Sequence, residues 1–292
     1  MPLTGLGTWR LHEPELTPTV IEALTLGYRL IDGAACYENE AALGKCLSPL
    51  WDQLIKRKEL FITSKLWVTK MKPSLVEEAC RKSLNDWGVE YFDMYLVHWP
   101  FAFKTTPSGS ILYDAQGVAV FDKDISLEST WKAMESLVEK GLVRSIGVSN
   151  FTIGLLEKIL SIPDLKFKPA VNQVEMHPYR PHKELLDFCT RQGIVLEAHS
   201  SLGGGRSPSL LEDPIVLEVA ASEKINDPSS VLLAWARQQG VPVIPKSTNP
   251  ARLATNLKHH SLSQSAMNTL ATIKSRHIYC DPMSFWKVPM PN

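Results

Sequence analysis

The sequence predicts an α/β fold closed into a single-domain (β/α)8, or TIM, barrel over residues 1–292. Eight short β-rich runs alternate with longer stretches of helical period along nearly the whole chain. Repeated β-then-α units imply a parallel sheet flanked by helices, and a closed barrel of this kind typically needs about 250 residues. A missing motif points the same way. An open dinucleotide-binding sheet usually carries GxGxxG after its first strand. Here Gly5-x-Gly7 runs into Thr8, Trp9 and Arg10, and the glycines at 203, 204 and 205 have the wrong spacing.

Strands are expected at 3–7, 29–31, 60–63, 92–97, 145–148, 170–174, 195–198 and 241–244. Between them, apolar residues recur three and four apart. Val20, Ile21 and Leu24 lead to a stop at Gly27. Leu75, Val76, Ala79 and Leu84 follow Pro73, a good first-turn residue, and end at Gly88. Ser126 is the expected N-cap of a helix that carries Trp131, Met134, Leu137 and Val138 and stops at Gly141. Further helices are expected at 181–192 and 228–239, each closed by a glycine. Three segments stand outside the pattern: a long loop at 101–124, a short Gly/Ser/Pro loop at 203–209, and a tail at 276–292. The tail holds His277, Tyr279, Phe285, Trp286 and three prolines without helical period, and reads as an ordered wrapping segment.

Composition narrows the partners. Lys plus Arg and Asp plus Glu both number 31, so the net charge is zero and the basic excess of a duplex-binding domain is missing. Five scattered cysteines without a CxxC pair read as free thiols. No apolar run approaches a membrane span of about 20 residues, and the first residues lack the basic flank of a signal peptide. A cytoplasmic protein with neither nucleic-acid nor membrane partner is expected, and a monomer.

The strand ends carry the chemistry. In a barrel they form one rim, and here they deliver Asp32 with Tyr37, Ser64-Lys65, His98-Trp99, Ser149-Asn150, Gln173, His199-Ser200 and Lys246-Ser247. Alone, Tyr37 reads as a packing residue, Lys65 as a solvated charge, His98 as a structural histidine and Asp32-Gly33 as a turn. Together they form an acid–base group. A phenol titrates near 10 in water, and an adjacent ammonium is expected to lower that value. Asp32 would fix the lysine, and His98 would orient a carbonyl. A reductant is missing from this set, so hydride must come from a cofactor. No metal site is expected: HExxH is absent, and the adjacent His259 and His260 point apart on a helix.

These motifs are long enough to carry a resemblance. Leu30-Ile31-Asp32-Gly33-Ala34-x-x-Tyr37-x-Asn39-Glu40 closely resembles the first signature of the aldo-keto reductase superfamily. Thr63 to Trp67, Tyr95 to Pro100, Gly147 to Phe151 and Ile244 to Ser247 resemble later ones, and the similarity runs from about residue 2 to at least 256. Trp9, Trp99 and the run from His98 to Phe103 look most like the aldose and aldehyde reductase group.

The resemblance implies a catalytic tetrad of Asp32, Tyr37, Lys65 and His98, with Tyr37 as general acid, and NADPH lying across the barrel mouth. It implies nicotinamide contacts at Ser149, Asn150 and Gln173, and pyrophosphate contacts at Ser200 and Leu202. Lys246, Ser247 and Arg252 would surround the 2′-phosphate and Asn256 would meet the adenine. Thr8, Trp9 and His199 complete the cofactor set, and Trp9, Trp99 and Phe101 would line a pocket for a small carbonyl substrate. His199 replaces a tyrosine usual in relatives, and Thr255 an acidic residue; the 203–209 loop is short and the tail diverges. A second reading therefore stays open: a catalytically weak barrel that binds NADPH as a sensor or partner subunit.

Overall fold

The computed structural model describes residues 1–290; residues 291 and 292, which end the tail singled out above, lie outside the described residues. Strands β1 (Leu6–Gly7), β2 (Leu30–Asp32), β3 (Phe61–Leu66), β4 (Met94–Val97), β5 (Ile146–Ser149), β6 (Val171–Glu175) and β7 (Val195–His199) form one parallel sheet in sequence order. Helices α1 (Leu16–Leu26), α2 (Glu40–Leu47), α3 (Pro73–Trp87), α4 (Leu127–Glu139), α5 (Ile153–Leu160) and α6 (Lys183–Gln192) occupy the connections between the strands. They are followed by α7 (Pro214–Ser222), α8 (Pro228–Gln238), α9 (Pro250–Leu257), α10 (Gln264–Ala271) and α11 (Pro282–Trp286).

The expected eighth strand at 241–244 is the main departure. The segment closes the barrel without becoming a regular strand: Val243 bridges Thr4 on one side and Ala198 on the other, both in parallel. Gly5 N donates to Val243 O at 2.9 Å, Gly7 N to Pro245 O at 3.2 Å and Ala198 N to Pro242 O at 2.8 Å. Pro242 and Pro245 have no N–H to give back, so the segment donates only through Val243 N to Leu3 O at 3.0 Å and Ile244 N to Ala198 O at 3.4 Å, and it lies in the eighth position with a thinned ladder. The approach at this seam is close. A Cβ on Gly7 would fall 2.5 Å from the Ile244 carbonyl oxygen, so only glycine lets β1 meet the closing segment.

Helix boundaries follow the local signals. Gly27 (φ 105°) and Gly88 (φ 63°) end α1 and α3 in the left-handed conformation that a Cβ disfavours. Ser126 Oγ accepts from Ser129 N and starts α4. The helix expected from 181 begins at Lys183, because His182 is itself left-handed (φ 48°). In the tail, Asp281 accepts from Met283 N and Pro282 opens the five-residue α11. So short a helix shows no period in sequence, which is why the tail reads there as a wrapping segment without a helix. The loop 101–124 is paired internally, Phe103 with Phe121, Thr105 with Ile111 and Tyr113 with Ala119.

Parallel strands covered on both faces are buried throughout, and β2, β4, β5 and β6 have no exposed residue. Strand alternation places Leu96 and Val171 on the same face as Asp32, Lys65, Gln173 and Glu197. Leu96, Val171 and Met94 form a small apolar cluster. The four polar residues are joined by hydrogen bonds. The barrel axis is thus apolar in one layer and ionic in the next.

Candidate active site

The ionic layer begins at Lys65, whose side chain is 0% exposed. From β3 its Nζ donates to Asp32 Oδ1 at 2.6 Å, Asp32 Oδ2 at 2.8 Å and the Gly33 carbonyl at 2.9 Å. The hydroxyl of Tyr37 lies 3.3 Å from the same nitrogen. Tyr37 reaches it because a single 3-10 turn, Ala35–Tyr37, follows β2 directly. A 3.3 Å contact is long, as catalytic hydrogen bonds often are before substrate arrives. His98 comes from the end of β4, its ring edge-on to Tyr37 with centroids 5.8 Å apart. The four tetrad residues predicted from sequence therefore lie together at the C-terminal end of the barrel.

The electrostatics correct one expectation. Lys65 does not pull the Tyr37 phenol down; burial, followed by the Asp32 carboxylate, pushes it well above 10. The ammonium is shared with Asp32, and its attraction for a phenolate is outweighed by burial and by that carboxylate. At neutral pH Tyr37 is a protonated donor. Burial, with Lys65 and His199 adding to it, holds His98 well below its ordinary 6.5, so its imidazole is neutral. Its Nδ1 faces the Cys36 sulfur at 3.5 Å, and burial pushes that thiol up to about 12.

A second network adjoins the tetrad. Ser149 Oγ donates to the Gln173 carbonyl at 2.8 Å. Asn150, left-handed at φ 64°, donates through Nδ2 to His98 O at 3.0 Å and Ser149 Oγ at 3.1 Å. The His199 ring spans Asn150 Oδ1 at 3.2 Å and Ser200 Oγ at 3.1 Å. Thr8 Oγ1 donates to the Asp32 carbonyl at 2.8 Å. Lys246 and Arg252 lie apart from this network, after the closing segment and in the first turn of α9. Both are exposed, and neither has an ion-pair partner among the described residues. Ser247 beside them is buried, and its Oγ accepts from Asn249 N at 3.1 Å. Asn256 is buried, its carbonyl accepting from Arg237. Leu202 is half-buried. This donor set suits a nicotinamide dinucleotide: amide and hydroxyl groups at the tetrad, and two exposed cations beyond.

The aromatic residues divide differently from the sequence reading. Trp9 is 42% exposed at the rim, with Arg10 and Arg206 over its ring at 4.3 and 5.3 Å. Trp99 and Phe101 are buried, stacked on each other at 6.1 Å and packed against Trp286 at 5.3 and 5.8 Å. Between this cluster and the tetrad stands Trp67, 5.2 Å from His98 and 5.7 Å from Trp286. Sequence reasoning missed Trp67, although it lies two residues beyond Lys65. It also missed Glu197, a charged residue inside a barrel strand, and Trp286, one ring among several in a tail that gave no register.

The tail is tied down beside the site. Glu175, at the end of β6, accepts from Tyr279 N at 2.7 Å, Cys280 N at 2.8 Å and His177 Nε2 at 2.8 Å. The Tyr279 hydroxyl donates to Pro208 O, and Arg206 to Tyr279 O, so the tail also holds the short 203–209 loop. Burial works against the Glu175 charge, but the His177 hydrogen bond and the other favourable contacts overcome it and hold the carboxyl at about 2. A carboxylate depressed from its ordinary 4.5 stabilises the fold above that value, and the contribution is lost as pH falls towards 2. Thermal melts should show the parent falling over this window and Glu175→Gln, already lacking the contribution, changing little. Parallel curves would exclude Glu175 as the anchor.

A parallel barrel with a phenol, an ammonium, a carboxylate and an imidazole at one mouth defines an oxidoreductase of the nicotinamide-dependent kind. The sequence profile of the Aldo/keto reductase family matches residues 4–275, and the chain belongs to that family. It is 42% identical to aldose reductase B of Dictyostelium discoideum, across 99% of this chain and 94% of that one. It is 40% identical to aldo-keto reductase family 1 member A1 of Gallus gallus, across 97% and 88%. The solved aldose reductase of Giardia lamblia superposes with a TM-score of 0.93 at 40% identity, covering 100% of this chain and 98% of that one. Among the described residues no helix is long and apolar enough to cross a membrane.

Proposed function

We propose that this chain reduces aldehydes and ketones to alcohols with NADPH, Tyr37 serving as general acid. The observation that carries the reading is the position of Lys65 Nζ, buried between the Asp32 carboxylate and the Tyr37 hydroxyl. When bound, the nicotinamide supplies hydride. The protein's part is to place and protonate the carbonyl. The Tyr37 hydroxyl donates to the carbonyl oxygen and gives up its proton as negative charge builds there. Lys65 then faces a phenolate, which it stabilises more than the phenol. The neutral His98 offers an N–H to the same oxygen and fixes the approach. Trp9, Trp67 and Trp286 form apolar walls, backed by the buried Trp99 and Phe101, and favour an apolar or aromatic aldehyde.

Ser149, Asn150 and Gln173 would hold the carboxamide, with His199, Thr8 and Trp9 around the ring. Ser200 and Leu202 would serve the pyrophosphate, and Asn256 the adenine. NADPH is favoured over NADH because Lys246 and Arg252 are free cations beside the Ser247 hydroxyl, a set that suits a phosphate dianion. The five free thiols fit a reducing, cytoplasmic setting.

Protein mixed with NADPH and 4-nitrobenzaldehyde should show steady loss of the reduced-nicotinamide absorbance. Tight NADPH binding without turnover would leave the sensor reading instead. Charge-assisted hydrogen bonds are worth about 1.5–3 kcal/mol. Arg252→Ala should therefore raise the KM for NADPH by roughly tenfold or more and leave that for NADH nearly unchanged. Equal effects on both coenzymes would remove the 2′-phosphate assignment.

A further inference from the structure

Glu197 is the polar residue of the barrel axis that the mechanism does not use. It sits on β7, 1% exposed, in register with Gln173 on β6. Its Oε2 accepts from Gln173 Nε2 at 2.7 Å, and the same Nε2 donates to Asp32 Oδ2 at 2.8 Å. Its other oxygen, Oε1, is buried without a partner. Burial, with Asp32 adding to it, pushes this carboxyl up to about 7. A half-satisfied carboxylate in this layer works against stability, since a well-packed apolar side chain of similar volume is often neutral or better.

The arrangement fixes something that a single partner would leave free. A glutamine amide has two N–H donors on nitrogen and an acceptor oxygen, and turning it over exchanges them. Both neighbours of the Gln173 nitrogen are carboxylates, which when ionised only accept. Above about 7, where Glu197 is ionised, each of the two N–H bonds has its own anion, and the inverted amide would set its oxygen against two negative charges. The Gln173 Oε1 is left without a hydrogen-bond donor among the described residues and is not sealed away from solvent. Ser149 Oγ donates to the backbone carbonyl of the same residue and accepts from Asn150 Nδ2.

We propose that Glu197 is a positioning residue for the cofactor: together with Asp32 it locks the Gln173 amide so that only Oε1 faces the pocket, ready to accept from a carboxamide N–H. This rests on the nicotinamide reading of the site. The recognised group is a primary carboxamide, and an analogue with the carbonyl but no N–H loses the contact.

The test compares NADP+ with its 3-acetylpyridine analogue, each titrated against the whole protein by quenching of tryptophan fluorescence. One neutral hydrogen bond is worth about 0.5–1.5 kcal/mol, so the parent should prefer NADP+ by roughly two- to tenfold. In Glu197→Leu the amide has lost one of its two anions and turns more freely, so the preference should collapse towards 1. Glu197→Gln, which can still offer an oxygen to Gln173, should retain it. Thermal melts of both variants establish that they fold, and the Gln variant carries the comparison independently of the Leu one. A Leu variant that keeps the parent's preference, or a Gln variant that loses it as the Leu one does, overturns the role of Glu197. A parent that binds neither dinucleotide overturns the nicotinamide reading itself, and the proposal with it.

Discussion

Tyr37→Phe is expected to lower kcat by about 10²–10⁴-fold, the usual worth of a positioned general acid, while NADPH affinity stays within about twofold. The substitution removes one oxygen and keeps the ring, so the edge-on packing with His98 survives. Lys65 keeps Asp32 and the Gly33 carbonyl. Nothing that holds the cofactor residues is disturbed, because Ser149, Asn150 and Gln173 bond to one another and to His98 and Asp32, not to the phenol. The loss should therefore fall on kcat, which single-turnover kinetics would locate in the chemical step. Since burial holds the phenol well above 10, the parent's kcat should be level through neutral pH and decline only in strong alkali. A Phe variant with kcat near that of the parent would remove Tyr37 from the reaction.

The barrel was legible because its signals are local and repeated. Apolar β-rich runs alternate with helical periods, and glycines at 27, 88 and 193 mark helix ends that the structure places within a residue. The tetrad was legible for a related reason. Strand ends in a barrel converge whatever the intervening sequence, so finding Asp32, Lys65 and His98 at three of them amounts to placing them together. What failed depends on the surroundings of a group instead of its position. The net effect on Tyr37 was misjudged because a sequence shows that Lys65 is near, not how far burial and Asp32 outweigh it. The resemblance puts Trp99 and Phe101 in a substrate pocket, and what a sequence does not show is that Trp286 of α11 packs against both and that both are buried. That helix has five residues, too few for a periodicity to emerge. The eighth segment closes the barrel but is not a regular strand for covalent reasons, since the prolines at 242 and 245 each remove a donor from the ladder.

Lys65→Met separates the two tasks of the lysine, and both effects should be large. Methionine has nearly the same length and no charge, so packing in the fully buried position is kept. Asp32 then loses two short contacts from Nζ and retains Gln173 Nε2 as its side-chain donor. Breaking a buried ion pair from one side costs about 3–5 kcal/mol, because the remaining charge is uncompensated. Denaturant midpoints of the variant and the parent would read this loss directly. Lys65→Met with Asp32→Asn should recover most of the lost stability, since the orphaned charge is gone, and recover none of the turnover. The phenolate left by proton transfer still has no cation beside it, and a loss of about 10²-fold or more in kcat is the scale of such a deletion. If the double variant regains activity along with stability, Lys65 serves only to satisfy Asp32, and the proton would have to leave Tyr37 without electrostatic help.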